Sequence, residues 1–162
     1  MVLTVFEPAV RSLGDALRAR GTMLATAESC TGGLIAAACT AVAGSSDWFE
    51  RGFVTYSNDA KHELLGVSTA LLETHGAVSQ EVALAMAQGT LAHSRADLVI
   101  AVTGIAGPGG ATETKPIGLV HVAIARKDGA VTHRVFEFGD IGRTEVRLAT
   151  LDAAMTLLSE FV

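Results

Sequence analysis

The chain is poor in cysteine and in positive charge, and each of these features excludes a class of protein. Its 2 cysteines, Cys30 and Cys39, fall on one predicted helix, so a disulfide framework is not expected. Lys and Arg total 12 against 17 Asp and Glu, which gives a formal net charge of −5 without any basic cluster. Because phosphate binding needs a basic face, the composition argues against nucleic acid as a partner.

Long apolar runs and metal-binding motifs are also missing. No window reaches the roughly 18 apolar residues of a membrane span, and residues 1–7 lack the basic start and apolar core of a signal peptide. The histidines are scattered, and there is no His-x-x-x-His, no Cys-x-x-Cys and no cluster of carboxylates. We therefore expect a soluble, cytoplasmic protein that binds no membrane and no catalytic metal.

What is present is a globular composition, with 49% hydrophobic and 18% charged residues. This length and composition predict a single domain over residues 1–162. Apolar periodicity and turn residues predict the element order α-β-α-β-α-α-β-β-β-α. The predicted helices cover 4–20, 33–42, 59–65, 80–93 and 144–161, with a further helical stretch at 68–74, and the predicted strands cover 22–27, 53–56, 98–102, 117–126 and 131–138.

Local signals mark the ends of several elements. Thr4 and Glu7 form a capping-box pattern, Gly21 stops the first helix, and Asn58 is a plausible cap for the third. The early alternation of strands and helices favours parallel strands, whereas the turn at 127–130 predicts an antiparallel hairpin. The predicted fold class is therefore α/β, a three-layer α/β/α sandwich with a mixed, mostly parallel sheet of about five strands.

Three segments whose residues could take part in a reaction follow three predicted strands. Ser29 comes where the first strand changes into a helix, and Lys61 lies shortly after the second strand. The glycine-rich segment 104–110 follows the third strand. Because the carboxyl ends of parallel strands share one edge of the sheet, we expect a nucleophile, a base and an anion-binding loop to meet there.

Ser29 allows two interpretations. It could cap the next helix, as could Thr31, or it could act as a nucleophile, which requires a base. Neither a Ser-x-x-Lys nor a Gly-x-Ser-x-Gly motif is present at Ser29, so the base must come from elsewhere in the chain. Lys61 is the best candidate, because burial at the strand end would lower its pKa. The alternative is a surface ion pair with Asp59 or Glu63.

Three further features are similarly open. Tyr56 could orient the same site or could be a core tyrosine with its hydroxyl at the rim. Segment 104–110 matches neither a Walker loop nor the Gly-x-Gly-x-x-Gly pattern, so it is either an anion-binding loop or an ordinary long connection. Arg143 and Arg147 share one face of the last helix, where they could bind an anionic substrate or pair with acidic neighbours.

Five motifs occur in a family order and spacing: TAESCTGG at 26–33, GSSDWF at 44–49, GFVTYSNDAK at 52–61, HGAVS at 75–79 and TGIAGP at 103–108. On these motifs the chain resembles the CinA C-terminal domain family, the nicotinamide-nucleotide amidases or NMN deamidases. The resemblance implies hydrolysis of the carboxamide of nicotinamide mononucleotide to nicotinate mononucleotide and ammonia, in bacterial pyridine-nucleotide salvage. It implies no cofactor, a small-molecule nucleotide as the binding partner, and a homo-oligomer.

The resemblance also assigns residue roles. Ser29 becomes the nucleophile and Lys61 the general base, with Tyr56 assisting. The residues that it implies for substrate and oxyanion binding are Cys30, Thr31, Gly32, Thr103, Gly104, Ile105, Ala106, Gly107 and Arg143. The family's closing Gly-Asp-Arg motif is interrupted here by residues 141–142, which separate Asp140 from Arg143. The rival functions are a non-catalytic nucleotide-binding or regulatory module, and an amidase for another heteroaromatic amide.

Overall fold

The computed structural model describes residues 2–162 and contains a mixed five-stranded sheet between two layers of helices. The strands are β1 (Leu24–Glu28), β2 (Phe49–Val54), β3 (Leu98–Gly104), β4 (Leu119–Arg126) and β5 (Val131–Glu137). The helices are α1 (Glu7–Arg20), α2 (Leu34–Thr40), α3 (Asn58–Leu65), α4 (Thr69–His75), α5 (Gln80–Ala92) and α6 (Arg143–Glu160). The predicted α/β/α sandwich is confirmed.

The strand order β2-β1-β3-β4-β5 places the functional segments together. β1 pairs in parallel with both β2 and β3, whereas β4 pairs antiparallel with β3 and β5. From β1 the chain continues to β2, which lies on one side of β1, and then to β3, which lies on the other side of β1. This reversal creates a crevice at the carboxyl ends of β1 and β3, which is where ligands bind in open α/β sheets.

The two faces of the sheet are packed differently. One face carries large aliphatic side chains, such as Leu24, Ile100 and Ile124, against α1, α2 and α6. The other carries alanines, such as Ala27 and Ala101, against the helices α3 to α5. Small side chains on this second face permit a close approach of the helices to the sheet.

A glycine sets the closest contact within the second helical layer. Gly89 of α5 lies so near α3 that an added Cβ would overlap the carbonyl oxygen of Leu65. Both residues are buried, and Leu65 ends the helix that also carries Lys61. The position of α3 therefore depends on the absence of a side chain at Gly89.

Several predicted ends need correction. The prediction of a Thr4 capping box is wrong, because a short 3-10 helix occupies Val2–Phe6 and α1 begins at Glu7 without a side-chain cap. Ser57, rather than Asn58, caps α3 by accepting a hydrogen bond from the amide of Ala60. The Gly21 stop is confirmed by its left-handed conformation, with φ of 61°.

The second strand also starts earlier than predicted, at Phe49 instead of residue 53. It lies at an edge of the sheet and is only partly buried, so its first residues lack the apolar run that marks the central strands. Among residues 2–162, no helix is both long enough and apolar enough to cross a membrane.

Candidate active site

A pocket of about 290 Å³ opens at the carboxyl ends of β1 and β3. It brings together the predicted nucleophile, the predicted base and the glycine-rich segment, which are far apart in sequence. Its lining residues are Ser29, Cys30, Tyr56, Lys61, Ala77, Val78, Thr103, Gly104, Ile105, Ala106, Gly107, Gly109, Gly110 and Arg143. The lining includes two cations and no carboxylate, so the pocket suits an anionic ligand.

Lys61 lies at the base of this pocket, with only 1% of its surface exposed. Its Nζ is 3.0 Å from Ser29 Oγ, 2.9 Å from the carbonyl oxygen of Thr55 and 3.2 Å from that of Tyr56. Ser57 caps α3 shortly after β2 ends, which places Lys61 at the start of the helix and close to the strand ends. The alternative of a surface ion pair with Asp59 or Glu63 is wrong.

Burial lowers the pKa of Lys61 from its ordinary 10.5 to about 8, and the nearby Cys30 offsets this shift only in part. Near pH 8 about half of the Lys61 amines are therefore neutral. A neutral amine has two N–H donors and one lone pair. As an ammonium, Lys61 donates to Ser29 Oγ and to both carbonyls; once neutral, it can keep its two donors on the carbonyls of Thr55 and Tyr56 and direct its lone pair to the hydroxyl of Ser29. This is the arrangement that a general base requires.

Ser29 is buried and is fixed by the sheet. Its amide donates to the carbonyl oxygen of Val102 at 3.0 Å, which extends the β1–β3 pairing by one residue. The capping interpretation is wrong for both Ser29 and Thr31, because α2 begins after Gly33 without a side-chain cap from either of them. Instead, the carboxylate of Glu28 accepts from the amides of Ile35 and Ala36.

Tyr56 lies at the rim, with 57% of its surface exposed. Its hydroxyl accepts a hydrogen bond from Arg143 Nη2 at 2.8 Å, and only its backbone carbonyl contacts Lys61. Arg143 Nη1 donates to the carbonyl oxygen of Gly107 at 2.7 Å. Arg143 thus bridges two sides of the pocket mouth. Among the described residues it forms no ion pair, so the alternative that it pairs with acidic neighbours is wrong.

Two of the implied binding residues lie outside the pocket lining. The hydroxyl of Thr31 points inward and donates to Glu28 at 2.7 Å. The amide of Gly32 donates to the carbonyl oxygen of Ser29 at 3.0 Å, so it is already engaged. The geometry therefore gives no support to substrate or oxyanion contacts by Thr31 and Gly32, whereas Cys30 does line the pocket.

The glycine-rich segment forms a wall of the pocket, as predicted. A Cβ on Gly104 would lie 2.7 Å from Val120 Cγ2 and 2.9 Å from the carbonyl oxygen of Leu119, so only glycine fits there. Next to it, Thr103 donates to the carbonyl oxygen of Ala77 at 2.8 Å and fastens the connection between α4 and α5.

Sequence reasoning missed the roles of Glu28, Ala77 and Val78. Ala77 and Val78 belong to the HGAVS motif, but their apolar side chains carry no chemistry that would mark a site. Glu28 stands directly before Ser29, yet a carboxylate in that position gives no sequence signal of burial.

A second, larger pocket of about 400 Å³ lies near the amino ends of β1 and β3. Its lining includes Arg20, Asp97, Arg126 and Asp128, but neither a serine nor a cysteine. Residues 2–162 also contain no group of three or more His, Cys, Asp or Glu side chains suited to a metal ion. The pocket at Ser29 is therefore the better candidate for an active site.

The chain is similar to known proteins over nearly its whole length. The family model for the CinA C-terminal domain matches residues 7–162. The chain is 53% identical over 152 residues to the nicotinamide-nucleotide amidohydrolase PncC of Enterobacter agglomerans, covering 93% of this chain and 92% of that protein. It is 49% identical over 151 residues to the protein of the same name from Escherichia coli strain K12, covering 93% and 91%.

A solved structure is equally similar. The competence/damage inducible protein CihA from Agrobacterium tumefaciens superimposes with a TM-score of 0.94 at 54% identity, covering 96% of this chain and 94% of that chain. The resemblance inferred from the five sequence motifs is thus confirmed. The chain belongs to the CinA C-terminal domain family.

Proposed function

We propose that this protein is a hydrolase that converts nicotinamide mononucleotide to nicotinate mononucleotide and ammonia. The observation that carries the proposal is the buried Lys61 Nζ, 3.0 Å from Ser29 Oγ in a cationic pocket. The names of the two curated relatives, both nicotinamide-nucleotide amidohydrolases, support the same substrate and reaction. Salvage of pyridine nucleotides is the physiological context that follows from this reaction.

The first half of the reaction forms an acyl-enzyme. Ser29 Oγ attacks the carboxamide carbon while the neutral amine of Lys61 takes the hydroxyl proton. The tetrahedral intermediate then collapses, the C–N bond breaks, and Lys61 returns the proton so that ammonia leaves. The nicotinate moiety remains attached to Ser29 as an ester.

Water completes the second half. Lys61 takes a proton from a water molecule, whose oxygen attacks the ester carbon, and then returns the proton to Ser29 Oγ as the C–O bond breaks. The product is a carboxylic acid that ionises near neutral pH. In both halves negative charge develops on the carbonyl oxygen, and the amide of Cys30, directly after the nucleophile, is the donor that we assign to it.

The nucleotide part of the substrate fits the remaining pocket. We assign its phosphate to the guanidinium of Arg143 and to the backbone of 104–110, because the planar fork of arginine matches phosphate and the glycines permit close approach. Thr103, Ile105 and Ala106 line the same side and complete the predicted contacts. Tyr56 acts here at the rim through Arg143, since its hydroxyl does not contact Lys61.

The test is ammonia release from nicotinamide mononucleotide without added metal, for the wild type, Ser29→Ala and Lys61→Ala. We expect release by the wild type only. A folded wild type that binds the nucleotide without turnover would contradict the proposal and favour a non-catalytic binding module. Equal kcat/KM for nicotinamide and its mononucleotide would instead favour an amidase for which the phosphate is unimportant.

A further inference from the structure

Glu28 is a buried carboxylate directly before the candidate nucleophile, with 1% of its surface exposed. Within the described chain it has no cationic partner; instead, four neutral donors surround it. Oε1 accepts from Thr31 Oγ1 at 2.7 Å and from the amide of Ile35 at 2.8 Å. Oε2 accepts from the amide of Ala36 at 2.9 Å and from Thr26 Oγ1 at 3.4 Å.

These bonds tie the turn that carries Ser29 to rigid elements on both sides. Thr26 belongs to β1, while Ile35 and Ala36 open α2. Thr31, in the middle of the turn, is held at its hydroxyl by Glu28 and at its carbonyl oxygen by Arg147 Nη2 at 2.9 Å. The turn is thereby fixed from the side opposite the pocket.

The backbone of Glu28 reaches the other half of the candidate dyad. Its carbonyl oxygen accepts from the amide of Thr55 at 2.9 Å, and the carbonyl oxygen of Thr55 in turn accepts from Lys61 Nζ. Glu28 thus lies where the turn of Ser29 and the segment holding Lys61 join.

We propose that Glu28 is a positioning residue, whose carboxylate holds the Ser29–Gly32 turn through Thr31 and the start of α2 and so keeps Ser29 Oγ within reach of Lys61. The inference rests on the proposed hydrolysis by Ser29 and Lys61. Glu28 does not contact the pocket and is not a catalytic residue. Its effect on turnover arises because a small displacement of the reacting group is costly to rate.

A carboxylate is required because both oxygens accept. In Glu28→Gln the shape is kept, but the NH₂ group faces a donor, either the amide of Ala36 or the pair formed by Thr31 and Ile35. At least one backbone amide, that of Ile35 or that of Ala36, then loses its acceptor, because an amide N–H cannot accept from the NH₂ group. Thr31→Val removes the hydroxyl at nearly constant volume, whereas Thr31→Ser retains it.

The experiment measures kcat and KM for nicotinamide mononucleotide. It compares only variants whose cooperative unfolding shows that they are folded. For Glu28→Gln we expect kcat to fall about 10- to 100-fold with KM within about 2-fold of the wild type. Thr31→Val should lower kcat in the same direction, and Thr31→Ser should restore it. The double variant Glu28→Gln/Thr31→Val should lose no more than the product of the two single losses, because both changes loosen the same turn.

Ser68→Ala is the matched control, since Ser68 caps α4 by accepting from the amide of Leu71 and lies outside the pocket lining. It removes a helix cap as Glu28→Gln does, but its kcat should equal that of the wild type. A folded Glu28→Gln with wild-type kcat would overturn the inference, as would equal losses for Thr31→Val and Thr31→Ser.

Crystal structures separate this inference from the substrate assignment. In Glu28→Gln we expect the distance from Ser29 Oγ to Lys61 Nζ to exceed the hydrogen-bond limit of about 3.5 Å, whereas Ser68→Ala keeps the 3.0 Å distance. An unchanged distance in Glu28→Gln would contradict the positioning role, whatever the substrate. If the wild type releases no ammonia while Glu28→Gln shows the longer distance, only the proposed reaction is overturned.

Discussion

Buried charges and charges on the surface are compensated in different ways. Lys61 and Glu28 are almost fully buried, and the contacts of each are to carbonyls, hydroxyls or amides. On the surface, by contrast, Arg18 contacts the carboxylates of Asp15 at 2.9 Å and Asp47 at 3.2 Å.

The difference matters for chemistry. A carboxylate beside Lys61 would stabilise the ammonium form and hold the pKa high, and the amine would then stay protonated. Neutral carbonyls hold the same side chain in place, while burial lowers its pKa to about 8. Uncharged partners thus hold Lys61 without stabilising its ammonium form, so that it can gain and lose a proton.

Removing either Ser29 or Lys61 should produce the largest effect. Ser29→Ala and Lys61→Met are each expected to lower kcat by about 10³-fold or more, and the double variant should lose little beyond either single one. Ammonia release under saturating nicotinamide mononucleotide checks this. Lys61→Met should remain folded, because it replaces a buried amine by an apolar side chain of similar length. Strictly additive losses would show that the two residues do not act as a unit.

A carboxylate placed in the pocket would give Lys61 a charged partner, as Arg18 has on the surface. For the wild type, kcat/KM should rise with pH through an apparent pKa of about 8, because Lys61 must lose its proton to act as a base. In Cys30→Asp the new carboxylate should move this limb to higher pH, with activity recovering in alkaline buffer. Cys30→Ala is the control and should move the limb slightly to lower pH, because Cys30 no longer offsets the lowering of the Lys61 pKa; equal profiles for the two variants would contradict the argument.

The hairpin of β4 and β5 carries two partly buried histidines, whose burial lies between that of Lys61 and that of Arg18. His121 Nδ1 and His133 Nε2 are 2.9 Å apart, and burial is the main cause that lowers the pKa of both imidazoles. The folded protein then binds fewer protons than the unfolded chain, so stability should be lost as the pH falls below the unfolded value of about 6.5. Thermal unfolding, followed from about pH 8 down to about pH 5, measures this loss of stability.

The double variant His121→Gln/His133→Gln is the comparison for this prediction. Its unfolding temperature should depend less on pH across the same range, because the two imidazoles no longer titrate. An identical pH dependence in both proteins would show that other groups cause the loss of stability.

The smallest effect is expected at the surface. Arg18→Gln should lower the free energy of unfolding by less than about 1 kcal/mol, because exposed ion pairs are offset by solvation and side-chain entropy. Urea unfolding at low and high salt measures the change, which should shrink as salt screens the pairs. The kcat of this variant should match that of the wild type. A loss of several kcal/mol would make the surface pairs as important as the buried contacts.

The sequence was sufficient to predict the convergence of Ser29, Lys61 and 104–110, because apolar strands and their parallel order determine which chain segments share an edge. It was not sufficient for contacts that depend on exact side-chain direction. The bridge from Arg143 to Tyr56 joins residues 87 positions apart, and nothing local in either segment indicates it. The cap on α2 comes from Glu28, which precedes the helix by six residues, beyond the range of ordinary capping motifs.

The close approach at Gly89 has a consequence for how such a site changes during evolution. Lys61 is carried by α3, and α3 rests with its backbone directly on α5 at this glycine. Any side chain at position 89 would push the two helices apart and carry the amine away from its hydroxyl. A variant sequence can therefore keep every pocket residue and still separate Lys61 from Ser29.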